Sequence, residues 1–244
     1  MSLRTIAVIP ARYGSTRFPG KPLAKIAGKS MIQRVYEAVK KCPEISQVIV
    51  ATDDERIYSA VEAFGGLAQM TSTEHQSGTD RIAEVVESID ADLIINIQGD
   101  EPLIPPDLIS ALIQKMQETS AEMGTAAVPF SISGRKIEDP NAVKVVLDKN
   151  NFALYFSRAV IPFKRDKDCN RNALLHWGVY AYTKKLLQDF VSWPISELEN
   201  LEKLEQLRAL ENGTKIYVLK CNYKSIGVDV PEDIKLVEEI LLSP

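Results

Sequence analysis

Short runs of valine and isoleucine alternate with amphipathic stretches through the first half of the chain. Strands are predicted over 6–9, 48–51 and 92–98. Residues 6–9, 48–51 and 93–95 in them are apolar at consecutive positions, which is typical of strands that are buried on both faces. Apolar residues at helical spacing predict helices over 31–41, 54–64, 79–89 and 106–117. Strands that alternate with helices form a parallel sheet with helices on its two faces. The sequence thus predicts an α/β fold with a doubly wound, mostly parallel sheet.

The pattern changes after Gly124. Strand-like runs over 125–130, 142–147 and 152–156 follow one another at hairpin spacing, which favours antiparallel pairing. The remaining predicted elements are a polar linker over 164–172, a strand over 175–182, helices over 186–191 and 197–210, a strand over 215–220 and a helix over 231–242. We therefore expect a single domain over 1–244, with a subregion of antiparallel strands over 125–182.

Composition excludes several classes of protein. A net charge of −4 and a pI near 5.4 argue against nucleic-acid binding. No apolar run approaches the roughly 18 residues of a membrane span, and the N-terminus lacks the pattern of a secretory signal. The three cysteines, Cys42, Cys169 and Cys221, form neither a disulfide framework nor a zinc motif. We expect a cytoplasmic protein that binds neither nucleic acid nor membrane.

Positive charge is concentrated at the start of the chain. The first 36 residues contain seven Lys or Arg and no Asp or Glu, and Arg12, Arg17 and Lys21 lie in the loop after the first predicted strand. Glycines and prolines punctuate this loop, so its backbone N–H groups and cations could bind a polyphosphate. The alternative is a solvated surface loop. Neither the Walker nor the dinucleotide glycine pattern is present, so spacing alone does not identify the anion.

Two further segments place carboxylates where a ligand could bind. An apolar strand runs into Asp100-Glu101-Pro102, and Asp229 precedes the helix start at 231–233. Ligands of open α/β sheets bind outside the carboxyl ends of strands, where Asp100 could hold Mg²⁺ against phosphate oxygens. The alternatives are that Asp100 or Glu101 caps a turn and that Asp229 only begins a helix.

A polar cluster over 75–81 lies directly before the helix predicted at 79–89. Its simplest role is the start of that helix, with Ser77 or Thr79 as the N-cap. The same loop could also recognise a base, because cytosine presents a ring carbonyl, a ring acceptor and an exocyclic amine. These two roles are compatible.

Together these segments resemble the sugar nucleotidyltransferases. Residues 10–21 match the P-A-R-x-x-S-x-R-x-P-x-K pattern of cytidylyltransferases, and 98–102 match Q-G-D-E-P. Residues 227–233 match G-[VI]-D-T-P-E-D, with Val230 in place of the common Thr. The strings at 75–81, 141–146, 153–158, 176–180 and 204–208 are similar to those of cytidylyltransferases that act on 3-deoxy-manno-octulosonate (KDO). The resemblance covers nearly the whole chain.

This resemblance implies an enzyme that transfers CMP from CTP to KDO, releases pyrophosphate, uses Mg²⁺ and forms a homodimer through the subregion 125–182. It implies that Lys21 and Arg12 neutralise the triphosphate and that Asp100 and Asp229 hold the metal. The nucleotide-binding residues that it implies are Ala11, Arg12, Ser15, Lys21, Gln76, Ser77, Gly78 and Arg81. The sugar-acid-binding residues that it implies are Gln98, Arg158, His176, Tyr180, Glu205 and Gln206.

Several of these residues have simpler alternatives. His176 could be an ordinary strand histidine, Tyr180 a core aromatic, and Glu199 with Lys203 a surface ion pair. The leucines at 198, 201, 204, 207 and 210 form a helical seam that could be core or subunit contact.

At the level of function, the alternatives are a cytidylyltransferase for sialic acid or for a KDO analogue such as the 8-amino form. A noncatalytic sugar-nucleotide sensor on the same fold is a further alternative. The presence of Lys21, Asp100 and Asp229 argues against the sensor.

Overall fold

The computed structural model describes residues 3–14, 18–166, 173–223 and 226–242. The predictions for Ser15, Arg17 and Cys169, and most of the predicted linker, lie outside these residues. The chain divides into two compact units, Met1–Ser110 with Ser225–Pro244 and Ala111–Lys224. The single domain expected over 1–244, and the role of its subregion, stay predictions.

The first unit contains a parallel sheet. Its elements are, in order, β1 (Thr5–Ala11), a 3-10 helix (Lys21–Leu23), β2 (Lys25–Ile26), β3 (Lys29–Ser30), α1 (Met31–Val39), β4 (Ile45–Thr52), α2 (Glu55–Ala63), β5 (Ala68–Met70), α3 (Gly78–Glu87) and β6 (Leu93–Asn96). The strand order is β6-β1-β4-β5 with every pair parallel, while β2 and β3 form a separate antiparallel ribbon. Ile6, Ala7, Val8 and Ile9 of β1 are all fully buried, as consecutive apolar residues in a covered parallel strand require.

The second unit has mixed pairing. Helix α4 (Pro106–Thr119) contains the division between the units. The elements after it are β7 (Met123–Pro129), α5 (Phe130–Ser133), β8 (Lys144–Leu147), β9 (Ala153–Ser157), β10 (Leu174–Thr183), α6 (Lys184–Ser192), α7 (Glu197–Glu202), α8 (Gln206–Glu211) and β11 (Ile216–Lys220). Helix α9 (Asp233–Leu242) returns the chain to the first unit.

Strand pairing in the second unit is antiparallel for β8 with β9, β8 with β10 and β10 with β7, and parallel for β11 with β7. The predicted antiparallel strands are therefore present. β7 does not form a hairpin with the next strand, because the short helix α5 follows it and its neighbours are β10 and β11. The predicted α/β fold class, mostly parallel with an antiparallel subregion, is confirmed.

The helix predicted over 197–210 is wrong as one continuous helix. The chain breaks at Lys203, whose φ is 52°, and α7 and α8 lie on either side of the break. The side chain of Glu199 is buried and paired with Arg208 at 2.6 Å, which excludes the alternative of a surface pair between Glu199 and Lys203. Lys203 donates instead to Asn200 Oδ1 at 2.6 Å.

Among the described residues, no helix combines the length and the apolar character that crossing a bilayer demands.

Candidate active site

Three sequence motifs meet in one open cavity of the first unit. This cavity of about 370 Å³, here called the Lys21 cavity, is lined by Pro10, Ala11, Arg12, Gly14, Lys21, Pro22, Gln98, Gly99, Asp100 and Asp229. The lining residues come from the end of β1 and its loop, the loop after β6, and the segment before α9. The structure therefore brings together Arg12, Lys21, Asp100 and Asp229, which the sequence singled out separately.

Lys21 joins the three motifs by hydrogen bonds. Its Nζ donates to Asp100 Oδ2 at 2.6 Å and to the carbonyl oxygen of Val228 at 3.0 Å. The lysine lies in the 3-10 helix that begins after Gly20, and Gly20 has the left-handed φ of 71° that glycine tolerates. The ammonium has three donors, so one N–H of Lys21 remains after these two bonds.

Close backbone approach shapes the floor of the cavity. A Cβ on Gly99 would lie 3.2 Å from the carbonyl oxygen of Pro10, so a larger residue would push the two strand ends apart. The N–H of Val228 donates to the carbonyl oxygen of Asp100 at 3.0 Å. Asp233 accepts from the N–H groups of Asp229 and Val230 at 2.7 and 3.0 Å, so Asp233 supplies a capping carboxylate at this turn.

The carboxylates suit a metal that is shared with a phosphate. Asp100 and Asp229 line the same cavity as Arg12 and Lys21. Within the described residues, no group of three or more His, Cys, Asp or Glu is arranged to hold a metal ion. Mg²⁺ is usually held by one or two carboxylates together with substrate phosphates and water. The residues present fit that mode of binding and do not build a cage made of protein ligands alone.

A second cavity of about 210 Å³, the Ser77 cavity, lies beside the first and shares residues with it. Its lining residues are Pro10, Ala11, Arg12, His75, Gln76, Ser77, Gly78, Arg81 and Gln98. Ser77 is the N-cap of α3: its Oγ accepts from the N–H of Asp80, and the Asp80 carboxylate accepts from the N–H of Ser77, both at 3.1 Å. The predicted cap is confirmed at Ser77. A Cβ on Gly78 would lie 3.2 Å from Pro10 Cγ, so α3 starts close against the end of β1.

The walls of the Ser77 cavity are held by polar contacts. His75 bonds Glu84 through Nε2, and the amide of Gln76 donates to the carbonyl oxygen of Glu74 at 2.9 Å. The N–H of Ser72 also bonds Glu84, and this bond holds the pKa of that carboxyl below its usual value despite desolvation. The loop over 72–78 is therefore anchored on α3.

Arg81 has a buried charge that is already paired. Its guanidinium donates to Asp53 at 2.6 Å and also bonds Thr71 Oγ1, and the residue is 4% exposed. Asp53 and Thr71 were missed by the motif analysis. Asp53 follows the end of β4, so the rule that places ligand sites at the carboxyl ends of strands could have found it.

The residues predicted for the sugar acid lie in the second unit, except for Gln98. In that unit His176 and Tyr180 are neighbours on β10, with ring centroids 5.5 Å apart, and the hydroxyl of Tyr180 donates to Gln206 Oε1 at 3.2 Å. Gln206 is the first residue of α8 and Glu205 is its N-cap, two positions after the break at Lys203. Gln98 lines the two cavities of the first unit, where its amide donates to Asn96 at 3.1 Å.

Burial changes the acid–base character of these rings. Desolvation lowers the pKa of His176 to about 3, so the imidazole is neutral near pH 7. Desolvation, assisted by the charge of Glu205, raises the pKa of Tyr180 and keeps its phenol protonated. The amide nitrogen of Gln206 is buried and has no hydrogen-bond partner among the described residues.

Arg158 is tied to backbone carbonyl groups. Nε donates to the carbonyl oxygen of Glu202 at 2.7 Å, Nη1 to that of Pro140 at 3.0 Å and Nη2 to that of Lys203 at 3.3 Å. The guanidinium thus satisfies two carbonyl groups at the end of α7. Its five N–H donors leave two after these bonds.

Comparison with known proteins identifies the family. A family model described as cytidylyltransferase matches residues 6–216. The chain belongs to the cytidylyltransferase family. As a cytidylyltransferase it is a CTP-dependent nucleotidyltransferase, and the family resemblance predicted from the motifs is confirmed.

Individual cytidylyltransferases match over almost their whole length. A Syntrophotalea carbinolica protein named 3-deoxy-manno-octulosonate cytidylyltransferase is 52% identical, covering 95% of this chain and 96% of the relative. A Shewanella baltica protein named 8-amino-3,8-dideoxy-manno-octulosonate cytidylyltransferase is 51% identical, covering 96% and 97%. The solved structure of a CMP:2-keto-3-deoxy-manno-octonic acid synthetase complexed with CTP has a TM-score of 0.92 and 42% identity, covering 98% of each chain. The role of each site residue stays a prediction.

Proposed function

We propose that this protein transfers CMP from CTP to KDO and releases pyrophosphate, supplying activated KDO for lipopolysaccharide. The observation that carries the proposal is the Lys21 cavity, where two cations and two carboxylates from three motifs line one space. Relatives at 50% and 52% identity are named 3-deoxy-manno-octulosonate cytidylyltransferases. These features fit a site that binds a triphosphate and brings a sugar acid to its α-phosphorus.

The proposed reaction is in-line attack by the anomeric hydroxyl of KDO on the α-phosphorus of CTP. Lys21 and Arg12 counter the negative charge of the triphosphate, and the remaining N–H of Lys21 is available to a phosphate oxygen. Asp100 and Asp229 would hold Mg²⁺, which when bound supplies charge compensation for the phosphate oxygens and lowers the pKa of the attacking hydroxyl. Positioning and charge compensation are sufficient here, so the proposal includes no dedicated general base.

We assign cytosine recognition to the Ser77 cavity. Gln76 uses one amide N–H on Glu74 and keeps its carbonyl oxygen and second N–H for a base. Gly78 lines the cavity without a side chain, and Ala11 and Arg12 line it on the β1 side. Cytosine and uracil have opposite donor and acceptor patterns at two positions, so a rigid set of partners distinguishes them.

The sugar-acid site is proposed from the residues of the second unit. Two N–H groups of Arg158 remain for the KDO carboxylate. The buried amide nitrogen of Gln206 would gain a partner from a sugar hydroxyl, and such an unsatisfied donor is costly without one. His176, Tyr180 and Glu205 complete the proposed set in this unit, while the role of Gln98, which lies in the first unit, rests on the family resemblance alone.

The test is pyrophosphate release with CTP, UTP and ATP, each against KDO, 8-amino-KDO and sialic acid. We expect turnover with CTP and KDO and a kcat/KM for UTP lower by about 10²-fold or more, because the wrong base leaves buried groups unpaired. Equal use of CTP and UTP would refute the base assignment. Turnover of sialic acid with none of KDO would refute the substrate assignment.

A second candidate substrate is the 8-amino analogue of KDO. The supporting observation is the Shewanella baltica relative, which is 51% identical and is named for that substrate. The same panel decides between them: a kcat/KM for 8-amino-KDO above that for KDO would favour this candidate.

We further propose a cytoplasmic homodimer with the second copy bound through the subregion 125–182. Leu154 and Phe163 lie in that subregion and are 63% and 85% exposed, which supports an apolar contact with a partner. CTP is an intracellular substrate, which supports the cytoplasmic location.

A further inference from the structure

An irregular stretch of β10 surrounds the side chain of Thr125 on β7. The pairing of these strands shifts between Trp177 and Tyr180, so that Trp177 lies opposite Ala126 and Tyr180 opposite Thr125. Gly178 and Val179 form the resulting bulge. A bulge interrupts the ladder of backbone hydrogen bonds, and its carbonyl groups need other donors.

The hydroxyl of Thr125 bonds this bulge and His176 together. Thr125 Oγ1 lies 2.7 Å from the carbonyl oxygen of Val179, 3.2 Å from that of Trp177 and 2.9 Å from Nε2 of His176. Thr125 is fully buried, so water does not replace any of these partners. One hydroxyl group therefore lies within hydrogen-bond distance of three polar atoms.

Counting protons in this cluster determines the tautomer of His176. A hydroxyl has one proton, and a carbonyl oxygen can only accept. The Thr125 proton therefore points to the carbonyl oxygens, with Val179 the nearer, and Nε2 of His176 must be the donor to Oγ1. The ring is neutral near pH 7, so its other nitrogen, Nδ1, carries no proton and is an acceptor. Among the residues that the structure describes, none forms a hydrogen bond with Nδ1.

We propose that Thr125 is a positioning residue of the sugar-acid site, fixing His176 as the Nε2–H tautomer so that Nδ1 accepts a hydrogen bond from a substrate hydroxyl. This inference rests on the proposed function, because it takes His176 to face the sugar acid. The neighbouring Tyr180 already donates its proton to Gln206. His176 thus supplies a hydrogen-bond acceptor beside Tyr180, whose hydroxyl proton already bonds Gln206. An acceptor at this place suits a substrate with several hydroxyl groups, because each hydroxyl can donate a hydrogen bond.

The tautomer is tested by nitrogen-15 NMR of protein labelled at histidine. The chain has two histidines, so a spectrum of His75→Gln identifies the signals of His176 in the parent by difference. We expect the Nε2–H pattern, unchanged from pH 8 to about pH 5, because the His176 pKa is far below this range. An Nδ1–H pattern, or a charged ring at pH 6 in the folded protein, would overturn the inference without using activity.

The positioning role is tested by Thr125→Val and Thr125→Ser. The valine has nearly the same shape and lacks the hydroxyl, while the serine keeps it. We expect Thr125→Val to raise KM for KDO by about tenfold, with KM for CTP unchanged and a mixed tautomer in the NMR spectrum. Thr125→Ser should restore the Nε2–H form and bring KM for KDO within about threefold of the parent.

Each outcome bears on one proposal. If folded Thr125→Val keeps the parent KM for KDO, Thr125 has no positioning role and the inference fails. If Thr125→Val does not fold, the inference is still tested by the tautomer of His176 in the parent. It is also tested by the tautomer and the KM for KDO of Thr125→Ser. Failure of the parent itself to use KDO would refute the proposed function, and the tautomer result would be unaffected by it.

Discussion

At the scale of single residues, the candidate site depends on charges that are already in contact before any ligand binds. Lys21 Nζ and Asp100 Oδ2 lie 2.6 Å apart, with side chains 16% and 32% exposed. Opposite charges at this distance orient one another, but such a partly exposed pair adds little to stability. The Lys21–Asp100 pair instead holds a cation and an anion from two distant motifs at the same cavity.

Asp100→Asn should reduce turnover by about 10²-fold or more while the protein stays folded. The amide keeps the shape of the side chain and removes the charge that would hold Mg²⁺ and orient Lys21. The measurement is pyrophosphate release with saturating CTP and KDO, together with the unfolding temperature. Asp189→Asn, which removes a surface partner of Lys185, is the control and should behave like the parent. A folded Asp100→Asn enzyme with normal turnover would contradict the metal assignment.

Arg158→Ala should affect both stability and sugar-acid binding. The change removes three donors to backbone carbonyl groups, for which we expect a loss of about 1–3 kcal/mol in the free energy of unfolding. It should also raise KM for KDO by at least about tenfold, because a charge-assisted bond to the carboxylate is lost, while CTP affinity changes little. Urea denaturation measures the change in the free energy of unfolding. Steady-state kinetics at a temperature below the unfolding transition measure the change in KM for KDO.

The control for this change is Arg135→Ala. Arg135 forms an exposed pair with Asp139 at 3.6 Å and should show neither effect. If Arg158→Ala loses stability but turns over KDO like the parent, Arg158 serves only to hold α7, and the KDO carboxylate binds elsewhere.

At the scale of secondary-structure elements, the break between α7 and α8 places Glu205 and Gln206 at the start of a helix. The two short helices are joined across the break by a buried ion pair, with Arg208 donating to Glu199 at 2.6 and 2.8 Å. Arg158 bonds the carbonyl groups of Glu202 and Lys203, which the end of α7 leaves without helical partners. The start of α8 is thus fixed by side chains distant from it in sequence.

Glu199→Ala should destabilise the protein by about 3–5 kcal/mol, because it removes the carboxylate that pairs with the buried charge of Arg208. Urea denaturation measures the change. Glu197→Ala on the same helix is the matched control, since Glu197 is exposed, and its effect should stay within about 0.5 kcal/mol. Equal stability of the two variants would show that the buried pair does not hold α7 against α8.

At the scale of the whole molecule, the residues assigned to the nucleotide lie in one compact unit, and those assigned to the sugar acid, except Gln98, lie in the other. The second unit also contains the subregion proposed to contact a second copy. Among the large hydrophobic side chains of that subregion, Phe163 at 85% and Leu154 at 63% are the most exposed of the described residues, and burying them would remove apolar surface from water.

Phe163→Asp combined with Leu154→Asp should convert the dimer to a monomer, because charge at an apolar contact opposes burial. Light scattering after gel filtration gives the mass, with 27.1 kDa expected for the monomer. Ile195→Asp is the control: Ile195 is 68% exposed but lies outside the subregion, and the variant should remain dimeric. A parent protein that is already monomeric would contradict the proposed dimer. A double variant that remains dimeric would show that the dimer contact does not depend on Phe163 and Leu154.

The sequence alone determined the class of fold and the motifs, because hydrophobic periodicity and glycine, proline and charge placement report local backbone structure. The general position of ligand sites at strand ends predicted that the loop after β1 and Asp100 bind one ligand, and the resemblance to cytidylyltransferases added Asp229.

The tertiary structure alone decided which groups are in contact. The pairing of β7 with β10 and β11, the bonding of Arg158 to the carbonyl group of Glu202 and the Thr125–His176 contact join residues far apart in the chain. The Glu199–Arg208 pair joins two residues on either side of the break at Lys203. The periodicity of apolar residues in a sequence reports the local backbone structure over a few residues. Which distant residues come into contact depends instead on strand register and on which side chains are buried. The helix predicted through Lys203 failed for that reason: its leucines keep helical spacing, but the buried ion pair and the Arg158 bonds favour two short helices.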